Sequence, residues 1–265
     1  MKNLDAYKLK WIAIIGMILS HMVIAWWDII PAWLRVPMYA TGGLTFPIMA
    51  YFVVEGYKHT SNIKRYILRV LMFGLIALPF HILALGIPLA GGNPSVYPWL
   101  NIMFAIALSL LVLVLYDKIK SRVVFWILYI VLIVPISFLF LEWDLTGVTM
   151  VLLFYIIRNE NARRIVPPIF AGLSNLGALL LLTISLPLMQ NLEGFQTQGL
   201  AFNMDFIRVM PVFVVGCLLA SFLLYNYNGE RGKRMKYLFY VMYPVHFIVL
   251  AGVGLALELI NIPWF

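Results

Sequence analysis

Runs of about 20 apolar residues recur along the whole chain, separated by short stretches that gather Lys, Arg, Gly and Pro. A helical run of that length crosses a hydrocarbon core roughly 30 Å thick. The pattern predicts helices over 9–29, 41–57, 65–85, 98–116, 123–141, 146–158, 167–188, 204–225 and 236–259. The sixth is short, and the Gly- and Pro-bearing stretches 86–98 and 193–199 read as loops. No internal repeat or low-complexity tract is visible. The expected fold is all-α: a polytopic integral membrane bundle of about nine transmembrane helices, forming one domain over residues 1–265.

Composition strengthens this reading. Of 265 residues, 63% are hydrophobic and only 11% charged, against roughly 25% charged in a soluble domain. The net charge of +8 would suggest nucleic acid in a soluble chain. Here the placement of the charges explains it instead, so no nucleic-acid partner is expected. With the N-terminus in the cytoplasm, even-numbered helices return to the cytoplasm, and loops there should carry the Lys and Arg excess. Lys2, Lys8 and Lys10 precede helix one; Lys58, Lys64, Arg65 and Arg69 follow helix two; Lys118, Lys120 and Arg122 follow helix four. Arg158, Arg163 and Arg164 follow helix six, and Arg231, Lys233, Arg234 and Lys236 follow helix eight, leaving only Arg35 and Arg208 of the 19 basic residues. Asp28, Glu142, Asp144, Glu193, Asp205 and Glu258 sit at the opposite ends. The start looks like a signal sequence, but the run ends in Ala25-Trp26-Trp27-Asp28 without a small-x-small site, so it is expected to stay as a first helix. The single cysteine, Cys217, excludes an internal disulfide or a cysteine metal cluster, and no metal is expected.

Against this background, ionisable groups at membrane depth stand out, because a charge at a helix centre costs roughly 2.5–3.5 kcal/mol on insertion scales. His21 is the strongest. It follows Lys10 by eleven residues, which is within about 20° of three whole turns and about 16 Å along the axis. A cation at the cytoplasmic rim and an imidazole near mid-membrane therefore lie on one line. An anionic ligand held at the rim would extend a reactive end to His21, and neutral imidazole suits the removal of a proton from a hydroxyl or amine. A histidine merely packed between helices is the competing reading. Glu55, in Val53-Val54-Glu55-Gly56-Tyr57, could orient such a base, pair with Arg69, or be a plain interfacial glutamate. Arg65 and Arg69, four residues apart, could grip phosphates or simply mark the cytoplasmic side. His246 follows Pro244, which frees a backbone carbonyl. His81 and Asn101 are polar groups of the kind that join helices, and Arg208 could bind an acceptor or snorkel. Nucleotide-hydrolysis and zinc-protease motifs are missing.

These residues carry a resemblance. Lys10 and His21 are similar to the basic-x10-His signature of the acyltransferase-3 class. More specifically, Gly42-Gly43-Leu44-Thr45-Phe46-Pro47-Ile48-Met49-Ala50-Tyr51-Phe52-Val53-Val54-Glu55-Gly56-Tyr57, followed by Lys64-Arg65-Tyr66 and Arg69, resembles the G-R-x-x-F-P-I-F-A-F-x-x-x-E-G-F…Y-x-x-R block of the TraX family. Asn101 to Phe104, Gly147 to Arg158, and Tyr237 through His246 continue it in order. The chain departs from the family pattern at Ser20, where Asp is frequent, and at Gly43, where Arg is frequent.

The resemblance implies a bacterial inner-membrane, multi-pass acetyltransferase; the family's named member acetylates the N-terminal residue of conjugative pilin. It implies acetyl-CoA as donor, and a peptide, glycan or lipid as acceptor at or across the bilayer. His21 and Glu55 are the expected catalytic residues. Lys10, Lys64, Arg65 and Arg69 are expected at the CoA phosphates, and Asn101, His246 and Arg208 at the acceptor. A proton-coupled transporter is the runner-up, although no repeat symmetry supports it. A non-catalytic assembly subunit is a third reading.

Overall fold

The computed structural model describes residues 3–27, 29–86, 100–137, 141–190, 209, 211–234 and 237–257. Arg208 and the loop stretches 87–98 and 193–199 lie outside them. The described residues form an all-helical structure with no strands, and each of the nine apolar runs holds an α-helix. These are α1 (Ala6–Ala25), α2 (Ala32–His59), α3 (Ile63–His81), α4 (Ile102–Lys118), α5 (Arg122–Ser137), α6 (Asp144–Ile156), α7 (Glu160–Gln190), α8 (Val212–Tyr225) and α9 (Leu238–Ala256). A π-helical turn, Ile82–Gly86, continues α3.

Local sequence sets the starts. Asp5 Oδ1 accepts from the Lys8 N–H at 2.8 Å, Asn62 Oδ1 from Arg65 at 2.9 Å, and Asn159 Oδ1 from Ala162 at 3.0 Å. Each such cap contributes about 1 kcal/mol. Two helices, α2 and α7, begin more than a full turn before hydropathy predicts. α2 starts at Ala32 because Leu34, Met38 and Tyr39 join Val23, Trp27, Ile30 and Phe213 in an apolar cluster. α7 starts at Glu160, so Arg163 and Arg164 lie on its first turns, where glutamates neutralise them.

Among the described residues, five helices are long and apolar enough to cross a membrane: Ala6–Ala25, Ala32–His59, Ile63–Leu85, Glu160–Leu181 and Leu238–Ala256. α5, α6 and α8 are shorter apolar helices. Val123, Ile127, Ile130, Val131 and Val134 on α5 all stand exposed, a face that fits lipid rather than water.

Packing in the interior relies on close backbone approach, as in other membrane bundles. α1 and α2 run antiparallel, tied by Thr41 Oγ1 donating to Gly16 O at 2.9 Å and Thr45 Oγ1 to Ala13 O at 3.1 Å. α2 crosses α8 at Gly43 and Gly216, where a Cβ would run into the backbone oxygens of Phe213 and Ala40 respectively. The departure at Gly43 thus has a steric cause: the α8 backbone fills the space. His21 of α1 and His246 of α9 meet in the seam between those two helices.

Candidate active site

His21, on α1, is 5% exposed and faces α9. Its Nδ1 lies 2.8 Å from His246 Nε2, and His246 is 4% exposed. The His246 Nδ1 is in turn 3.1 Å from the Met242 carbonyl, one helical turn back. On the other edge of the His21 ring, Nε2 is 3.5 Å from Glu142 Oε1. Glu142 is fixed from behind: its Oε2 accepts from the Ile102 N–H at 3.0 Å, and its own N–H donates to Leu100 O at 2.9 Å. The carboxylate therefore sits at the positive end of α4, where a helix favours negative charge.

The ring of Phe247 closes the site. It lies 5.0 Å from the His21 ring, 3.9 Å from that of His246, and edge to face with His81 at 5.0 Å. Three histidines from three helices thus surround one phenylalanine that is itself fully buried. The described residues hold no group of His, Cys, Asp or Glu arranged for a metal ion.

Glu142 entered the sequence reading only as an acidic residue opposite the basic loops. The signal that singles it out is conformational. Trp143 and Asp144, immediately after it, have φ of 62° and 23°, values that non-glycine residues adopt rarely and that cluster at functional sites. Packing sustains them, since the Trp143 ring lies 5.0 Å from Phe46 and 5.1 Å from Phe213.

At the end of the bundle where the basic loops gather, Lys10 Nζ sits 4.8 Å from the Phe52 ring and 5.1 Å from Phe239, and Arg69 Cζ is 5.8 Å from Tyr240. The structure therefore brings Lys10 and Arg69 to adjacent residues on the first turn of α9. Lys64 and Arg65 lie exposed on the first turn of α3. Two cations framed by aromatic rings are suited to an anionic ligand with a stacking group.

Glu55 is not brought to His21. Phe52 is level with Lys10, so Glu55, a turn further out, lies on the order of 20 Å from His21 along the axis. It pairs with Arg163, and with Lys58 Nζ at 3.7 Å. Arg163 also pairs with Glu160 Oε2 at 3.1 Å, Arg164 Nε with Glu160 Oε1 at 2.9 Å, and Tyr51 donates to Glu160 at 2.9 Å. Asn101 is fully buried, bonding Gly74 O at 2.9 Å through its amide nitrogen and capping α4 at Met103 N. His246 sits beside His21 rather than apart from it.

Residues 6–254 match the family model described as TraX protein. Over 270 residues the chain is 29% identical to a probable fimbrial assembly protein FimC, serogroup H1, of Dichelobacter nodosus, covering 97% of this chain and 99% of that protein. No solved structure matches.

Proposed function

Since the chain belongs to the TraX family, we propose that it is a multi-pass acyltransferase of the bacterial inner membrane, moving an acetyl group from cytoplasmic acetyl-CoA to an amine or hydroxyl of a membrane-presented acceptor. The observation that carries this is His21, buried between Glu142 and His246 and about 16 Å along one helix face from Lys10. Nine spans and a cytoplasmic N-terminus put Lys10 and Arg69 where acetyl-CoA is found, and the basic loops support that orientation.

In this reading Lys10 and Arg69 hold the CoA phosphates, with the exposed Lys64 and Arg65 adding attraction, and the thioester end lies along the seam between α1 and α9. His21 takes the acceptor's proton as the new carbon–nitrogen or carbon–oxygen bond forms. The carbon–sulfur bond breaks with its electron pair on sulfur, which then receives that proton. Glu142 offsets the charge that develops on His21, an electrostatic effect that is strong in a site this dry. The α2 end, where Glu55 pairs with Arg163, contributes rigidity rather than chemistry. The name of the relative, a fimbrial assembly protein, favours a fimbrial peptide as the acceptor.

The test is transfer of radiolabel. Protein reconstituted in nanodiscs, given labelled acetyl-CoA and acceptor-bearing envelopes from a strain lacking this protein, is expected to label an envelope component. Absence of both transfer and acetyl-CoA binding would overturn the reading.

A further inference from the structure

His246 makes hydrogen bonds whose direction can be worked out from chemistry alone. A backbone carbonyl only accepts, so His246 Nδ1, 3.1 Å from Met242 O, carries a hydrogen. In the neutral ring Nε2 is then bare and can only accept. That atom is 2.8 Å from His21 Nδ1, which must therefore donate. The remaining nitrogen of His21, Nε2, faces Glu142 Oε1 at 3.5 Å; a carboxylate also only accepts, so a hydrogen on Nε2 points at Glu142, and Nε2 serves as a base only when that hydrogen is absent.

We propose that His246 is a positioning residue: its hydrogen-bond chain from Met242 commits the Nδ1 hydrogen of His21 to His246, so that Nε2, on the Glu142 side, is the one nitrogen of His21 at which the acceptor's proton comes and goes. The catalytic half of this rests on the acyl-transfer reading; the direction of the chain does not. As the proton arrives at His21 Nε2, the Nδ1–H is already shared with His246 Nε2, so positive charge spreads over two buried rings instead of one. The charged and titratable groups facing His21 are Glu142 from the segment before α6, His246 from α9, and His81 from α3 across Phe247. His246 thereby differs from a residue that holds the acceptor, because its effect passes through His21.

Two measurements decide it. In wild-type protein labelled with ¹⁵N-histidine, in nanodiscs at pH 8, the four histidines are assigned by single replacement. The expected result is hydrogen on Nδ1 of both His21 and His246 and none on His246 Nε2. Hydrogen on His246 Nε2 with a bare His21 Nδ1 would overturn the proposal. In the transfer assay, His246→Phe is expected to lower kcat about 10²-fold with KM for acetyl-CoA unchanged. His246→Gln, whose Oε1 can accept from His21, is expected to recover most of the rate. A raised acceptor KM at unchanged kcat would overturn the positioning role. If wild-type protein transfers no acetyl group while the spectrum shows the expected protons, the acyl-transfer reading fails and the hydrogen-bond chain stands.

Discussion

From Ile102 to Met242, one chain of polar contacts runs through Glu142, His21 and His246, linking the start of α4 to the first turns of α9. The two outer members, Glu142 and His246, are each held by a backbone group, and His21 is held between them, which is how a buried base keeps one orientation. Glu142→Gln keeps the shape of the side chain and its bond from Ile102 but removes the charge that offsets a protonated His21. It is expected to lower kcat about 10²-fold, measured as acetyl transfer with acetyl-CoA binding as the control. Gly43→Ala is a test of packing instead. Its Cβ would run into the Phe213 carbonyl oxygen, and overpacking of this kind costs about 1–3 kcal/mol, expected as a lower midpoint of thermal unfolding in detergent. His21 is legible in the sequence because an ionisable residue in an apolar run is conspicuous. Glu142 is not, because it lies 121 positions away in a segment whose proximity to α1 only the fold creates.

Among the elements, the first turns of α7 and the last of α2 form a charged clasp. Arg163 is only 6% exposed and pairs with Glu55 and Glu160. Breaking a buried ion pair is costly because it strands a charge, although the partial exposure of Glu55 softens the effect. Glu55→Gln is expected to lower the unfolding midpoint by several degrees and leave kcat for acetyl transfer within about twofold, a prediction based on the ~20 Å that separates it from His21. A collapse of kcat in well-folded protein would restore Glu55 to the chemistry. Hydropathy locates the helices but not their starts, since α2 and α7 extend through prolines and charges that tertiary partners accommodate. The α1–α9 seam is legible only in part: the sequence shows His246 as a second histidine in an apolar run, but not that its helix packs against α1. It depends on which helices pack, and all nine apolar runs look alike.

For the molecule as a whole, transfer from a cytoplasmic donor to an acceptor at or across the bilayer requires sidedness. In the proposed reaction, the end with the basic loops is the donor face, and the end with Glu142, beyond His21, is the acceptor face. Reporter fusions are expected to place residue 120 in the cytoplasm and residue 195 outside; the reverse would detach Lys10 from the acetyl-CoA pool. In the proposed acyl transfer, His21 performs the proton transfer. That role is tested most directly by the rate at which correctly inserted His21→Ala protein, in nanodiscs with labelled acetyl-CoA and envelope acceptor, transfers the acetyl group. The expected rate is lower than wild type by at least about 10²-fold with acetyl-CoA still bound, and transfer at the wild-type rate would contradict it.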